Sequence, residues 1–369
     1  MRLHRAKLFT LEMPLVSPFA TSFAVQTHRQ LLLLRVETDA GVGWGECVAM
    51  ADPLYSSEYL ASAGQVITDF LLPRLTGRSL SASAVSHLLG PVKGHRMAKA
   101  AVEMALLDAE LRGASMSLSD YLGGVHDRVP SGVSVGIMGS VEELLAAVAG
   151  YLEEGYRRIK LKIQPGWEIE PVRAVRREFG DDIPLQVDAN AAFTTADLRL
   201  FQQLDDFGLL LVEQPLEDED LTDHAWLAER ISTPVCLDES VVSAKSAADA
   251  IGLAACSVVN IKAGRVGGYL EARRVHDVCA AHGVPVWCGG MVETGLGRAA
   301  NMALAALPNF RLVGDTSASD RFFTTDIITE PFVLQDGYVA VPTGPGLGVE
   351  VDEDALAAVT VARAEVVLG

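Results

Sequence analysis

The chain has 369 residues, with 30 Lys and Arg against 48 Asp and Glu, a formal net charge of −18 and a pI near 4.8. That balance speaks against nucleic acid and anionic membrane as partners, because both require basic patches. At 49% hydrophobic and 21% charged residues the composition supports a large core rather than disorder, and the length suits about two domains.

The N-terminus carries Arg2, His4, Arg5 and Lys7, but no apolar segment of signal-peptide length follows them. No stretch approaches the ~18 apolar residues of a membrane span, and "LLLL" at 31–34 is strand-sized. Residues 1–50 read as strands, with a hairpin turn at Asp39-Ala40-Gly41. Residues 57–122 turn helical. The segment 98–113 has apolar residues at helical spacing and stops at Gly113. Strands followed by helices predict a separate α+β domain over residues 1–125.

From residue 131 the pattern changes to short apolar runs alternating with amphipathic helices. The runs are 132–137, 158–163, 184–190, 208–215, 234–240, 257–264, 284–290 and 310–315. Between the first two, Ser140 with Glu143 forms a capping box, and Gly155 stops the helix. Eight such units predict an α/β fold: a (β/α)₈-type barrel over residues 126–320, capped by the N-terminal α+β domain. The tail, 321–369, is expected to pack back on the capping domain and complete it. An open doubly wound sheet is the alternative, but its Gly-rich dinucleotide fingerprint is missing, and "GRVGG" at 264–268 reads as a turn. The five cysteines are scattered and lack CxxC spacing, which suits buried thiols in a cytoplasmic protein.

Asp188, Glu213 and Asp238 end three consecutive runs at equal intervals of 25 residues, one β/α unit each. They should therefore lie side by side at the C-terminal mouth of the barrel. Singly, each acid would read as a helix cap or an ion-pair partner. Three in register repel one another unless a cation intervenes, and hard oxygen ligands favour Mg²⁺ or Mn²⁺ over Zn²⁺. Lys160 and Lys162 share one face of the second run, because residues two apart on a strand point the same way. Lys262 lies on the sixth run, diametrically opposite in a closed ring, with Asn260 on its face. A carboxylate substrate held at the cation would thus have its α-carbon flanked by an amine on each side. Lysine is a poor base at neutral pH unless its pKa falls, and Lys160 is expected to lower that of Lys162. Glu239, beside the third acid, suits a supporting role as well as a catalytic one.

The segments "KLK", "VDAN", "VEQP", "LDES", "NIKAGRVGG" and "CGGMVETGLGRA", with "PFATSF", "LYSSEY" and "GHRMAKAAVEMALLDAELR" in the first domain, resemble the enolase superfamily. The likeness is to its muconate-lactonising subgroup, and within it to N-succinylamino-acid (N-acylamino-acid) racemases and o-succinylbenzoate synthases. The resemblance implies that Asp188, Glu213 and Asp238 bind Mg²⁺ (or Mn²⁺ or Co²⁺), that Lys162 and Lys262 are the acid/base pair, and that Lys160 touches the substrate carboxylate. It implies a pocket shaped by Phe19, Met50 and Tyr55 from the cap, whose alternative is plain core packing, and by Ser134, Asn190, Gly290 and Met291 from the barrel. A homo-oligomer, commonly an octamer, is implied as well.

Three functions remain open on the sequence. One is racemisation of N-acylamino acids by two opposed lysines. A second is dehydration to o-succinylbenzoate on the menaquinone pathway, and the intact two-lysine pattern leads to the expectation that the protein is competent in both. The third is a catalytically inert barrel serving as a scaffold, which the presence of all five charged residues disfavours.

Overall fold

The computed structural model describes residues 1–367. Three antiparallel strands open the chain: β1 (Leu3–Ala20), β2 (Val25–Thr38) and β3 (Gly41–Cys47). Thr38 pairs with Gly41 across the two-residue Asp39-Ala40 loop, where the hairpin is expected. Leu31, Leu32, Leu33 and Leu34 are all buried, so the sheet is covered on both faces at this point. Helix Arg96–Gly113 lies on β3. A Cβ on Gly43 would stand 2.1 Å from the Ala105 carbonyl oxygen, and one on Gly45 would stand 2.0 Å from that of Ala101. Glycines on the strand against alanines on the helix therefore set how closely the two approach.

After the short strand β4 (Arg128–Pro130), seven parallel strands follow in sequence order. They are β5 (Val133–Val135), β6 (Ile159–Lys162), β7 (Leu185–Asp188), β8 (Val212–Glu213), β9 (Val235–Leu237), β10 (Val258–Ile261) and β11 (Val286–Cys288). The helix after β5 keeps half of its expected capping box, with Glu143 Oε2 accepting from Gly139 N at 3.1 Å rather than from Ser140 N. Ser140 Oγ accepts from Glu143 N at 3.2 Å, and Gly155 ends that helix in the left-handed region at φ 95°.

The eighth run differs from expectation, because it forms no continuous ladder. Phe310 bridges Val286 and Gly314 bridges Ser131, both in parallel. Two hydrogen bonds, Gly132 N to Gly314 O at 2.8 Å and Asp315 N to Cys288 O at 2.9 Å, close the ring. Gly314 passes so near β11 that a Cβ would lie 2.7 Å from the Cys288 oxygen; the segment bonds to β11 through Val286 N to Asn309 O, Leu312 N to Val286 O and Asp315 N to Cys288 O, and to the start of the barrel through Gly132 N to Gly314 O.

Alternation along the barrel strands sorts their side chains. Ile159, Leu161 and Ile163 join the large core shared with the surrounding helices. The barrel interior holds a separate apolar cluster of Leu211, Cys236, Val258 and Trp287. Charged residues sit above that floor, with the Lys160 ammonium 4.7 Å from the Trp287 ring.

In the tail, β12 (Tyr338–Ala340) pairs with β4, and β13 (Thr360–Val367) pairs antiparallel with β1, giving the sheet order β13-β1-β2-β3. All five cysteines are buried and free. Among the described residues no helix is long and apolar enough to cross a membrane.

Candidate active site

The strand register brings the acids together. Lys162 pairs with Asp188 and Asp188 with Glu213, while Glu213 pairs with Cys236, two residues before Asp238 on the same face. All three carboxylates are completely buried. Asn260, on β10, donates to Glu213 Oε1 at 2.7 Å. It can reach there because position 289 is glycine; a Cβ would stand 2.3 Å from Asn260 Oδ1. Gln214 Oε1 accepts from Asp238 N and Ser240 N at 3.1 and 3.3 Å and so fixes the backbone that carries Asp238. Four non-glycine residues at these strand ends, Asn190, Ala191, Gln214 and Val292, have φ between 36° and 61°. Such strained conformations gather where a site dictates backbone geometry.

The lysines meet the acids directly. Lys162 Nζ lies 2.6 Å from Asp188 Oδ2 and 2.6 Å from Asn190 Oδ1. Lys160 Nζ lies 3.0 Å from Glu213, 3.3 Å from Asp188 and 2.6 Å from Asp315. On the other flank, Lys262 Nζ lies 2.7 Å from Asp238 Oδ2 and 3.2 Å from the Tyr55 hydroxyl. Arg265 also pairs with Asp238. Asn190 donates to Glu239 Oε1 at 2.9 Å, leaving Glu239 Oε2 buried without a partner.

These contacts govern protonation. Burial opposes ionisation of Asp188, yet Lys162 and Lys160 outweigh it and hold the carboxyl well below the usual range. Burial, reinforced by the Asp188 charge, pushes Glu213 up. Burial likewise carries Glu239 to about 7 against the pull of Lys262. Burial works against a charged Lys160, but Asp315, Glu213 and Asp188 raise it above the ordinary lysine value. Lys160 is therefore an ammonium neutralised by its carboxylate partners.

Every pocket residue expected from sequence lines one of two adjoining cavities at this mouth. Phe19 and Gly290 line both, Ser134 lines one, and Met50, Tyr55, Asn190 and Met291 line the other; Lys162 and Lys262 face both. Residues the sequence reading passed over also belong here. Asp315 ends the eighth run and was legible by the same strand-end rule as the other acids. Arg265 lies on a one-turn helix, Ala263–Val266, where a turn was expected; the turn is helical because Val266 N and Gly267 N bond back to Lys262 and Ala263. Arg298, on the last barrel helix, falls within the "CGGMVETGLGRA" segment, though its role was not read from it; Arg321 and Phe322 come from the tail, where no local motif marks them.

Among the described residues no three acidic, His or Cys side chains close on one common point. The positive charge at the acids comes from the protein's own amines. The donor set nevertheless suits a hard divalent cation: all-oxygen, wholly buried and spread over three adjacent strands, with Asn260 Oδ1 and Glu239 Oε2 unpartnered beside it.

Seven parallel strands with an eighth closing segment, a cap, and acids and opposed amines at one mouth define a barrel enzyme of the carbon-acid type. Residues 143–355 match the family described as enolase C-terminal domain-like, and residues 5–123 match the N-terminal domain of mandelate racemase / muconate lactonizing enzyme. The chain belongs to the enolase superfamily. It is 64% identical to an N-succinylamino acid racemase of Amycolatopsis, covering 98% of this chain and 99% of that one. It is 45% identical to an o-succinylbenzoate synthase of Geobacillus kaustophilus, covering 93% and 92%. A crystal structure of an enolase-superfamily member from Listeria innocua superposes with a TM-score of 0.96 at 39% identity, covering both chains fully. Membership implies use of a divalent metal.

Proposed function

We propose that this protein transfers a proton at the carbon next to a carboxylate and racemises N-acylamino acids, N-succinylamino acids foremost. The observation that carries the reading is the pair of amines, Lys162 and Lys262, on strands four places apart in an eight-membered ring and facing the same cavities. Lys162 removes the α-proton from one enantiomer and Lys262 delivers a proton to the opposite face; the other enantiomer uses them in reverse. Lys160, held by Asp315, presents a positive wall toward the substrate carboxylate. Asn190 orients the Lys162 amine and Tyr55 that of Lys262. Asp188, Glu213 and Asp238 would hold Mg²⁺, with Mn²⁺ or Co²⁺ as substitutes, and Asn260 and Gln214 orient two of them. When bound, the cation would supply counter-charge for the negative charge that builds on the substrate carboxylate.

The experiment is incubation with either enantiomer of N-succinyl-phenylalanine and Mg²⁺ in D₂O. Deuterium uptake at the α-carbon from both is expected, and none from either refutes the reading. A second reading, o-succinylbenzoate synthesis, draws support from the 45% and 44% identities to Geobacillus synthases and uses the same amines. Failure to convert the cyclohexadiene-carboxylate precursor would remove it. The higher identity to the racemase places that activity first.

A further inference from the structure

Arg158 has no task in the proton transfer and lines neither cavity at the mouth, yet it is only 1% exposed. It immediately precedes β6 and shares a face with Lys160, two residues on. Gly132 makes room for it, since a Cβ there would stand 2.6 Å from the guanidinium carbon. Nη1 donates to the Val133 carbonyl at 3.3 Å, while Nε and Nη2 donate to the Val313 carbonyl at 3.3 and 3.0 Å. The guanidinium therefore spans the first strand of the ring and its closing segment.

Nη2 also donates to Asp315 Oδ1 at 2.8 Å, while Asp315 Oδ2 lies 2.6 Å from Lys160 Nζ. One carboxylate is thus shared between two cations, an oxygen to each. The buried Trp287 ring attends both, with its centroid 5.3 Å from the guanidinium carbon and 4.7 Å from the ammonium. Glu213 and Asp188 also pair with Lys160, but both belong to the set assigned to the cation. Asp315 lies outside that set, so no metal competes for it. Where Lys160 stands in the loaded enzyme then depends on what fixes Asp315.

We infer that Arg158 is a positioning residue: through Asp315 it fixes the Lys160 ammonium at the cavity wall, and so governs how tightly the substrate carboxylate is held. The inference rests on the reading above, in which Lys160 meets that carboxylate. An arginine suits the task, because its rigid fork of donors bonds a carboxylate and two carbonyls at once. The competing explanation is that the same bonds only tie the ring closed.

The test is a double-mutant cycle on Arg158→Met and Asp315→Asn, read by α-proton exchange of N-succinyl-phenylalanine in D₂O with Mg²⁺. Arg158→Met should raise KM roughly tenfold, with a smaller fall in kcat, because a contact made in ground and transition states alike is weakened. In the Asp315→Asn background the same change should cost less than about threefold, since the link is already cut. Arg158→Lys keeps the charge without the fork, and should recover part of the KM even if its melting midpoint falls. Calorimetric titration of Arg158→Met should find Mg²⁺ affinity within about threefold of the wild type, short of the tenfold or greater loss that follows removal of a ligand's own partner. Losses that multiply across the cycle, or a KM unchanged in Arg158→Met, overturn the inference. Mg²⁺ affinity that falls as far as KM rises also overturns it, because the arginine would then act through Asp188 and Glu213. Should Arg158→Met fail to melt cooperatively, the cycle is run with Arg158→Lys, and a KM rise that persists in the Asp315→Asn background overturns the inference. No exchange by the wild type overturns the racemase reading, and this inference with it.

Discussion

Lys262 and Asp315 illustrate how one side chain's role depends on its partners. Lys262 touches Asp238 and Tyr55 but is not itself an oxygen donor, so Lys262→Ala should abolish racemisation, by roughly 10³-fold or more. Calorimetric titration with Mg²⁺ should meanwhile find affinity close to that of the wild type. A loss as large as that of Asp188→Asn would contradict the assignment. Burial disfavours the charged form of Asp315, but Lys160 and Arg158 outweigh it and bring the carboxyl down to about 2. An acid whose pKa is lowered by folding adds stability above its unfolded value near 3.8, and that stability is lost as pH falls through about 2. Urea unfolding should therefore show Asp315→Asn weaker than the wild type by about 2 kcal/mol above pH 5, with the gap closing toward pH 2. A gap independent of pH would mean the carboxylate is not what holds Lys160.

At the scale of elements, the close seams are the vulnerable ones. Gly45→Ala would drive a Cβ to 2.0 Å from the Ala101 carbonyl, and both partners are backbone-fixed. The variant should lose about 1–3 kcal/mol, read as a lowered melting midpoint. Strand alternation, the helix caps and the Asp39-Ala40 hairpin were legible in the chain because each depends on neighbours a few residues away. The short helix around Arg265 was not, because its glycines signal a turn and only its backbone bonds to Lys262 and Ala263 make it helical. The eighth segment was legible as an apolar run but not as bridges, since its form depends on the nearness of β11 and Ser131.

Over the whole molecule, the cap and the tail finish a site that the barrel begins. Glu46 of β3 accepts from Thr294 Oγ1 at 2.5 Å and Gly297 N at 3.1 Å, while Asp326 of the tail accepts from Gly295 N at 2.8 Å. Both thereby hold the start of helix Gly295–Ala305, just after the loop that carries Gly290 and Met291. A cation tying β7, β8 and β9 together stabilises only the folded chain. Mg²⁺ at a hundred times its Kd should therefore add about 2.7 kcal/mol, seen as a rise in melting temperature that Asp238→Asn abolishes. An unchanged melting temperature in the wild type would count against the three-acid site.

The amino-acid order by itself determined the alternation that turns Lys160 and Lys162 inward, the 25-residue interval that aligns the three acids, and the strand count that sets Lys262 opposite. All of these follow from periodicity, which the linear chain carries. Only the tertiary structure decided which charges meet. Asp315 neutralises Lys160 across 155 residues of chain, Arg265 folds back on Asp238, and Arg298 and Arg321 stand over the cavity without a carboxylate. Such pairings depend on ring closure and on the tail's path, and electrostatic energy depends on distance in space, which spacing along the chain does not encode.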